Sequence, residues 1–405
     1  MIVLFFAGLI LLAHLYLWQR MVRSTTAPGR LRKALTWGVV GLVVLVVATF
    51  AATRMDFGHW LAWPGYVWLA LMFYLIVFLV VLEVPRAVAV LVLGRVSRKA
   101  VTREAAPVLV PAMAGAPAPP EPAPVVAPIS RRLFLGRTTA AVAGVGALGT
   151  VGYGMTSALG DPVIERVKVA LPKLDPRLGG LRFAVVSDIH LGPLTGRGHT
   201  ERIVRMINGL EADVVAIVGD LVDGSVAQLG PLAKPLKSLE SRYGAYFVTG
   251  NHEYFAPSGP MEWIEELDQL GVRSLRNERV EIRHQGAVLD LAGVNDLNGA
   301  SAGDGPDFDK ALGGRDTGRS TVLLAHQPVQ VDQAARHGVD LQLSGHTHGG
   351  QIAPFNLVVG LQQPVVSGLA TVDGVQVYVT RGAGFWGPPV RVGAPPEITL
   401  LELRG

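Results

Sequence analysis

The chain has no cysteine among its 405 residues. That excludes a disulfide framework, a cysteine-ligated zinc site and thiol catalysis, while leaving any redox compartment open. Charge is also scarce: 17% of residues are charged, 50% are hydrophobic, and mean hydropathy is +0.37. This composition excludes a mainly disordered chain, a collagen and a coiled coil, and is too apolar for an ordinary soluble protein of this size. The length predicts two to three domains. Acidic residues are rare in one part above all. Residues 1–160 hold 14 Lys+Arg against 4 Asp+Glu, whereas residues 161–405 hold 22 against 28. The basic excess lies between apolar runs and not on a folded face. It therefore points to membrane topology and away from nucleic acid.

Three runs carry no charge: 1–19, 34–53 and 57–82. Each is long enough to cross the ~30 Å hydrocarbon core of a bilayer. Trp18, Trp37, Trp60, Trp63 and Trp68 stand at or near run ends, where interfacial aromatics sit. The first run lacks a basic leader, so it is read as a helix and not as a cleaved signal. His14 inside it is read as a helix-contact or interface residue. A fourth uncharged stretch, 138–160, is rich in Gly and Ala. It follows Ser130-Arg131-Arg132-Leu133-Phe134-Leu135-Gly136, which resembles a twin-arginine export signal. Thr156-Ser157-Ala158 offers small residues for cleavage, but an uncleaved anchor is the favoured reading.

Positive charges clustered beside membrane helices stay in the cytoplasm. Arg20, Arg23, Arg30, Arg32 and Lys33 place the first loop there, and Arg86, Arg95, Arg98, Lys99, Arg103, Arg131, Arg132 and Arg137 place the third there. The second loop has only Arg54 and Asp56 and is expected outside. Four crossings then put residues 161–405 on the extracytoplasmic side. Residues 104–129 form a Pro/Ala spacer without a core. The expected organisation is a membrane region of three helices over 1–96 and a linker over 97–129. A twin-arginine-like segment with a fourth helix covers 130–160, and a catalytic domain covers 161–405.

From about 161 the pattern changes to short apolar runs alternating with helix-like stretches. Strands are predicted at Leu181–Ser187, Val214–Val218, Ala245–Thr249, Val288–Ala292, Thr321–Ala325, Leu341–Ser344, Val375–Thr380 and Ile398–Leu403. Helices are predicted at about 198–210, 261–270 and 329–337. This is an α/β pattern, and two packed sheets with flanking helices fit it best.

The polar residues fall at strand ends. LRFAVVSDIHLG runs into Asp188 and His190, VVAIVGDLVDG into Asp220, and AYFVTGNHEYF into Asn251 and His252. TVLLAHQP runs into His326, and LQLSGHTHGGQ into His346 and His348. Carboxyl ends of strands are where α/β sheets bind ligands, so five such ends can converge on one point. Carboxylates, an amide oxygen and imidazoles form a mixed N/O donor set. Seven ligands with one bridging carboxylate suit two divalent ions about 3.5–4 Å apart, which lower the pKa of a shared water to about 7. No single block is specific; the five in this order are.

In that order the chain resembles the calcineurin-like metallophosphoesterase superfamily, over about residues 163–405. GHTHGGQ at 345–351 and GAPPEITLLEL at 393–403 resemble its membrane-associated bacterial branch. The resemblance implies a two-sheet β-sandwich flanked by helices. It implies one metal held by Asp188, His190, Asp220 and His348, and another by Asp220, Asn251, His326 and His346, with Asp220 bridging. The two divalent ions, Mn, Fe or Zn, would activate a bridging hydroxide. His252 is then no ligand but contacts the phosphate and serves as general acid, with Asp220 and Asn251 completing the catalytic group. Asp223 and Glu253 are expected to orient ligand histidines.

The implied function is a membrane-anchored phosphoesterase cleaving a phosphate ester or pyrophosphate bond in a phosphorylated lipid or envelope substrate. The alternative is a metal-binding but non-hydrolytic scaffold or sensor at the membrane. His199, His284 and His337 are read as surface residues, Arg381 and Arg391 as partners in loop salt bridges, and Phe385 and Trp386 as packing residues.

Overall fold

The computed structural model describes residues 2–53, 59–101, 131–256 and 259–405. Arg54, Asp56, Arg103, the spacer 104–129 and Ser130 lie outside the described residues, as do the side chains of Arg95, Arg98, Lys99, Arg131 and Arg132. The chain divides into two compact units, one of residues 1–56 and 67–151, the other of residues 57–66 and 152–405.

The first unit is helical. Its elements are α1 (Ile2–Leu17), α2 (Arg30–Ala52), α3 (Ala62–Val101) and most of α4 (Arg131–Leu159). Among the described residues, four stretches are long and apolar enough to cross a membrane: Phe5–Arg23, Arg30–Ala52, His59–Ala89 and Leu133–Leu159. Helices suit that role because every interior backbone polar group is paired without water. α3 continues to Val101, beyond the expected start of the linker at 97. His14 is a helix contact, as expected: Trp68 Nε1 donates to its Nε2 at 3.1 Å. Glu83 pairs with both Arg20 and Arg86.

The second unit holds twelve described strands in two six-stranded sheets. The first sheet has the order β1 (Val163–Ala170), β12 (Glu397–Arg404), β2 (Arg182–Val186), β3 (Val214–Val218), β4 (Ala245–Val248), β5 (Val272–Ser274). The second has the order β10 (Gly368–Val372), β11 (Val375–Val379), β9 (Leu341–Ser344), β8 (Thr321–Leu324), β7 (Ala287–Gly293), β6 (Glu278–His284). β2 through β5 run parallel, and so do β7, β8, β9 and β11.

Period-two alternation builds the layers. Phe183, Val185, Val214, Ala216 and Val218 face a core shared with Leu289, Leu291, Val322, Leu324, Leu341 and Leu343 of the other sheet. Ala184, Val186, Val215 and Ile217 face the opposite way, onto Ile203 and Ile207 of α5 (Arg197–Asn208), Leu229 and Ala233 of α6 (Val226–Ala233), and Trp263 and Leu267 of α7 (Met261–Gln269). On the second sheet's outer face, Ala292, Leu323 and Val377 pack with α8 (Phe308–Leu312) and α9 (Val331–Arg336). The expected two-sheet sandwich flanked by helices is thus the observed fold.

The eight predicted strands are present with ends shifted by one residue at most. Four more exist: β1, β5, β6 and β10, and each is a sheet edge. His199 and His284 correct the surface reading, since both are buried. His199 shares a helix face with Ile203 and Ile207, and His284 accepts or donates through Nδ1 to the Tyr243 hydroxyl at 2.8 Å. His337 is half-buried, with Nε2 3.1 Å from Asp309.

Candidate metal centre

Each chemistry-bearing residue follows the carboxyl end of a parallel strand. Asp188 and His190 follow β2, Asp220 follows β3, and Asn251 and His252 follow β4. His326 follows β8, and His346 and His348 follow β9. The two sheets therefore deliver their strand ends to one place. The backbone turns there under constraint: Asp188, His190, Asp220, His346 and His348 all have positive φ, between 49° and 70°. Asp and His tolerate that region better than most side chains. Such conformations cost about 1–3 kcal/mol each and cluster at functional sites.

The donors converge. His190 Nε2 lies 3.0 Å from His348 Nε2, and His348 Nε2 lies 3.3 Å from Asp188 Oδ1. His190 Nε2 is 3.9 Å from Asp220 Oδ2. The same Asp220 Oδ2 is 3.2 Å from His326 Nε2. Asn251 Oδ1 is 3.2 Å from His326 Nε2 and 2.8 Å from His346 Nδ1. Within the sets Asp188–His190–His348 and Asp220–His326–His346, the ligand atoms lie within 4.8 Å of one another. All seven residues proposed as ligands are brought together, and Asp220 sits between the two groups. The donor set of imidazole nitrogens, carboxylates and an amide oxygen suits a first-row divalent cation.

His252 stands at the margin. Its backbone N–H donates to Asp220 Oδ1 at 2.9 Å, and its side chain is 14% exposed, whereas those of His190 and His326 are fully buried. It also lies close enough to His190 and Asp220 to form a third group of possible donors. Asp223 Oδ1 accepts from His252 Nδ1 at 2.7 Å and from His190 Nδ1 at 2.8 Å, so one carboxylate orients both rings. His326 Nδ1 donates to the Val218 carbonyl at 2.8 Å, which leaves Nε2 for a metal.

Glu253 differs from expectation. Among the described residues its carboxylate makes no hydrogen bond to a ligand histidine; it accepts the backbone N–H groups of Asp220, Leu221, Val222 and Gly250 at 2.6–3.3 Å. It is fully buried because it replaces the missing partners of those loop amides. Gly250 is required for the approach: a Cβ there would collide with the backbone and carboxylate of Asp220.

Electrostatics divide the histidines. Burial lowers the pKa of His346 to about 3, with help from neighbouring His326, and lowers His348 well below its usual value with help from Arg391. Both are thus held neutral, as ligands must be. Burial opposes charge on His326 as well, but Asp220, Asp188 and Asp296 outweigh it and raise its pKa well above normal. Burial likewise opposes charge on His252, and Asp220 and Asp223 overcome it, giving about 9.

Two contributors escaped the sequence reading. Asp296 is buried, accepts both Gln327 Nε2 contacts at 2.9 and 3.1 Å, and acts on His326. It follows β7 in GVNDLN, the same strand-end signal that marks the ligands. Arg391 corrects the salt-bridge expectation. It is fully buried and donates to the carbonyls of His348 at 2.7 Å and Gly384 at 3.0 Å, with Nη2 3.1 Å from His348 Nδ1. Among the described residues it makes no ion pair, whereas Arg381 pairs with Glu165 and Glu397 as expected. Phe385 is buried packing, but Trp386 is exposed, and its ring centroid lies 5.9 Å from that of His252.

The family model of the calcineurin-like phosphoesterases matches residues 181–350, which span every one of these strand ends. A Danio rerio protein described as a transmembrane protein with metallophosphoesterase domain is 34% identical over 99% of this chain and 88% of its own length. A Bos taurus protein of the same description is 42% identical over 62% of this chain and 59% of its own. An uncharacterized metallophosphoesterase of Helicobacter pylori is 40% identical over 63% of this chain and 68% of its own. The chain belongs to the calcineurin-like phosphoesterase family of metal-dependent hydrolases, and its similarity to transmembrane proteins, together with the four apolar helices among the described residues, supports a membrane location.

Proposed function

We propose that this family member hydrolyses a phosphate ester or pyrophosphate bond in a lipid- or envelope-linked substrate, with two divalent ions at the centre and the catalytic unit on the extracytoplasmic side. The observation that carries the reading is the complete donor set divided about the single carboxylate of Asp220. Asp188, His190, Asp220 and His348 would hold one ion; Asp220, Asn251, His326 and His346 would hold the other. Bound there, the ions would supply positive charge against phosphoryl oxygens and acidify a water for attack at neutral pH.

The protein's own contribution is orientation and proton delivery. Asp223 holds the Nδ1 side of His252, so its other ring nitrogen is the one available to the substrate. His252 keeps its proton at neutral pH because of Asp220 and Asp223, which suits protonation of the leaving oxygen. Burial of His190, His326 and Asp188 excludes competing water from the donors. No donor of the set is lost, which weighs against the non-hydrolytic scaffold. The basic loops between apolar runs support the sidedness.

The test uses the full chain in detergent, stripped of metal and reloaded with Mn²⁺, Zn²⁺ or Fe²⁺. An aryl phosphodiester and the matching monoester are assayed beside His252→Ala. Metal-dependent turnover that falls in the variant is expected. Metal uptake without turnover of either ester, in solution or in a bilayer, would leave the scaffold. For sidedness, a reporter fused after residue 405 is expected to be active only outside the cytoplasm; cytoplasmic labelling would reverse the topology.

A further inference from the structure

The loop that carries His346 and His348 continues directly into an apolar segment, 354–361, that the phosphoesterase chemistry does not use. Leu361 is 86% exposed, Leu357 71% and Val358 53%, and Phe355 is exposed beside them. Four large apolar side chains in eight residues are an unusual surface for a domain whose core is already complete. Gly350, two residues after His348, packs directly on Asn356, so this segment is anchored to the ligand loop.

Hydrogen bonds tie the segment to other parts of the catalytic unit. Ala353 N–H donates to the Val392 carbonyl at 2.9 Å, and Ile352 bridges to Val392. The neighbouring Arg391 N–H donates to the Gly154 carbonyl at 2.9 Å, and Gly154 packs against Val390 and Val392. Gly154 belongs to the last turns of α4, part of the candidate membrane span Leu133–Leu159. At 1.5 Å per residue, Gly154 stands only about 8 Å from the end of that helix, close to where a helix about 40 Å long leaves a ~30 Å hydrocarbon core. Tyr66, near the start of the span His59–Ala89, approaches the same loop at Gly387. One loop thus meets the end of one span and the start of another, and segment 354–361 is two hydrogen bonds away from it.

Trp386 extends the surface toward the centre. Its N–H donates to Gln351 Oε1 at 3.0 Å, it is 56% exposed, and with Phe255 it flanks His252 at ring distances of 5.9 and 5.2 Å. We infer that segment 354–361 and Trp386 dock into the bilayer interface, so that the mouth of the metal centre opens at the lipid surface onto phosphates carried by membrane lipids. The substrate half of this inference rests on the phosphoesterase reading; the docking half does not.

The absence of cysteine permits a clean experiment. Leu361→Cys in the full chain, reconstituted in nanodiscs of phosphatidylethanolamine and phosphatidylglycerol, is labelled with an environment-sensitive fluorophore. Thr317→Cys, exposed before β8 at the strand end opposite His326, is the control. A label at 361 lying about 5–10 Å into the headgroup boundary is expected to shift to the blue and to be quenched about twofold or more by lipids spin-labelled near the headgroup. The label at 317 is expected to do neither. Water-like emission at 361 overturns the docking, and a blue shift without lipid quenching assigns the surface to protein contact instead. The same samples are assayed on the soluble aryl phosphodiester. Quenching without turnover keeps the docking and removes the phosphoesterase reading, while turnover without quenching does the reverse.

Discussion

His190 and His348 aim their Nε2 atoms at each other across 3.0 Å, with the rings nearly parallel at 20°. Two lone pairs that close are repulsive unless a proton or a cation lies between them. For metal–nitrogen bonds of about 2.1 Å, that separation subtends an angle near 90° at a shared ion. His190 Nδ1 is held by Asp223 and His348 Nδ1 faces Arg391, so neither ring is free to turn away.

His348→Ala is therefore expected to remove one metal while leaving the Asp220–Asn251–His326–His346 group intact. Metal content after dialysis checks this. The loss of affinity at the affected site should exceed the about 10–100-fold typical of losing an outer hydrogen-bond partner. Unchanged stoichiometry would refute the pairing of His348 with His190.

Asp223→Asn probes that outer partner. One carboxylate orients both His190 and His252, so the substitution should lower both metal affinity and turnover by about 10–100-fold. It should also lower the pKa of His252 from about 9, visible as an acid shift of the falling limb of the pH–rate profile. An effect on affinity alone would separate His252 from catalysis.

Metal loading is expected to release protons. The pKa of His326 in the metal-free fold lies well above its usual value, since Asp220 and its neighbours overcome burial. At pH 7 His326 is thus protonated and must lose that proton to bind metal. Apparent affinity should rise with pH through the neutral range. Calorimetric titrations in buffers of different ionisation enthalpy measure the proton count; buffer-independent heats would contradict it.

Glu253→Ala strips the partner from four loop amides. Each buried group left unsatisfied costs about 1–3 kcal/mol, so a loss of about 3 kcal/mol or more is expected, read as a lower melting midpoint of the metal-free protein. Glu253→Gln keeps acceptor capacity and should lose less. Equal losses would mean that the negative charge, and not the hydrogen bonding, holds the loops.

Gly250→Ala tests close approach. The added methyl would collide with Asp220, so the bridging carboxylate must move, and the overpacking should cost about 1–3 kcal/mol. Metal binding should weaken at both sites together. Loss at a single site would show that Asp220 does not bridge.

The amino-acid sequence by itself determined the apolar runs, the buried strands and the polar residues at the strand ends that the fold brings together. Each depends on local composition: uncharged runs of spanning length, short β-branched runs, and polar residues that follow those runs at once. It did not disclose β1, β5, β6 and β10, which are the edges of the two sheets. Edge strands carry charge on their open side, as in VIERVKVA and ERVEIRH, or are short, so their apolar signal is weak. Only the tertiary structure decided what the isolated polar residues do. Glu253 became a brace for loop amides, Arg391 a buried clasp between the His348 loop and Gly384, and His199 and His284 core residues. Their roles depend on which backbone groups arrive beside them from residues up to 43 positions away. Local pattern specifies burial along one element, whereas the partner that satisfies a buried polar group is chosen by packing between elements.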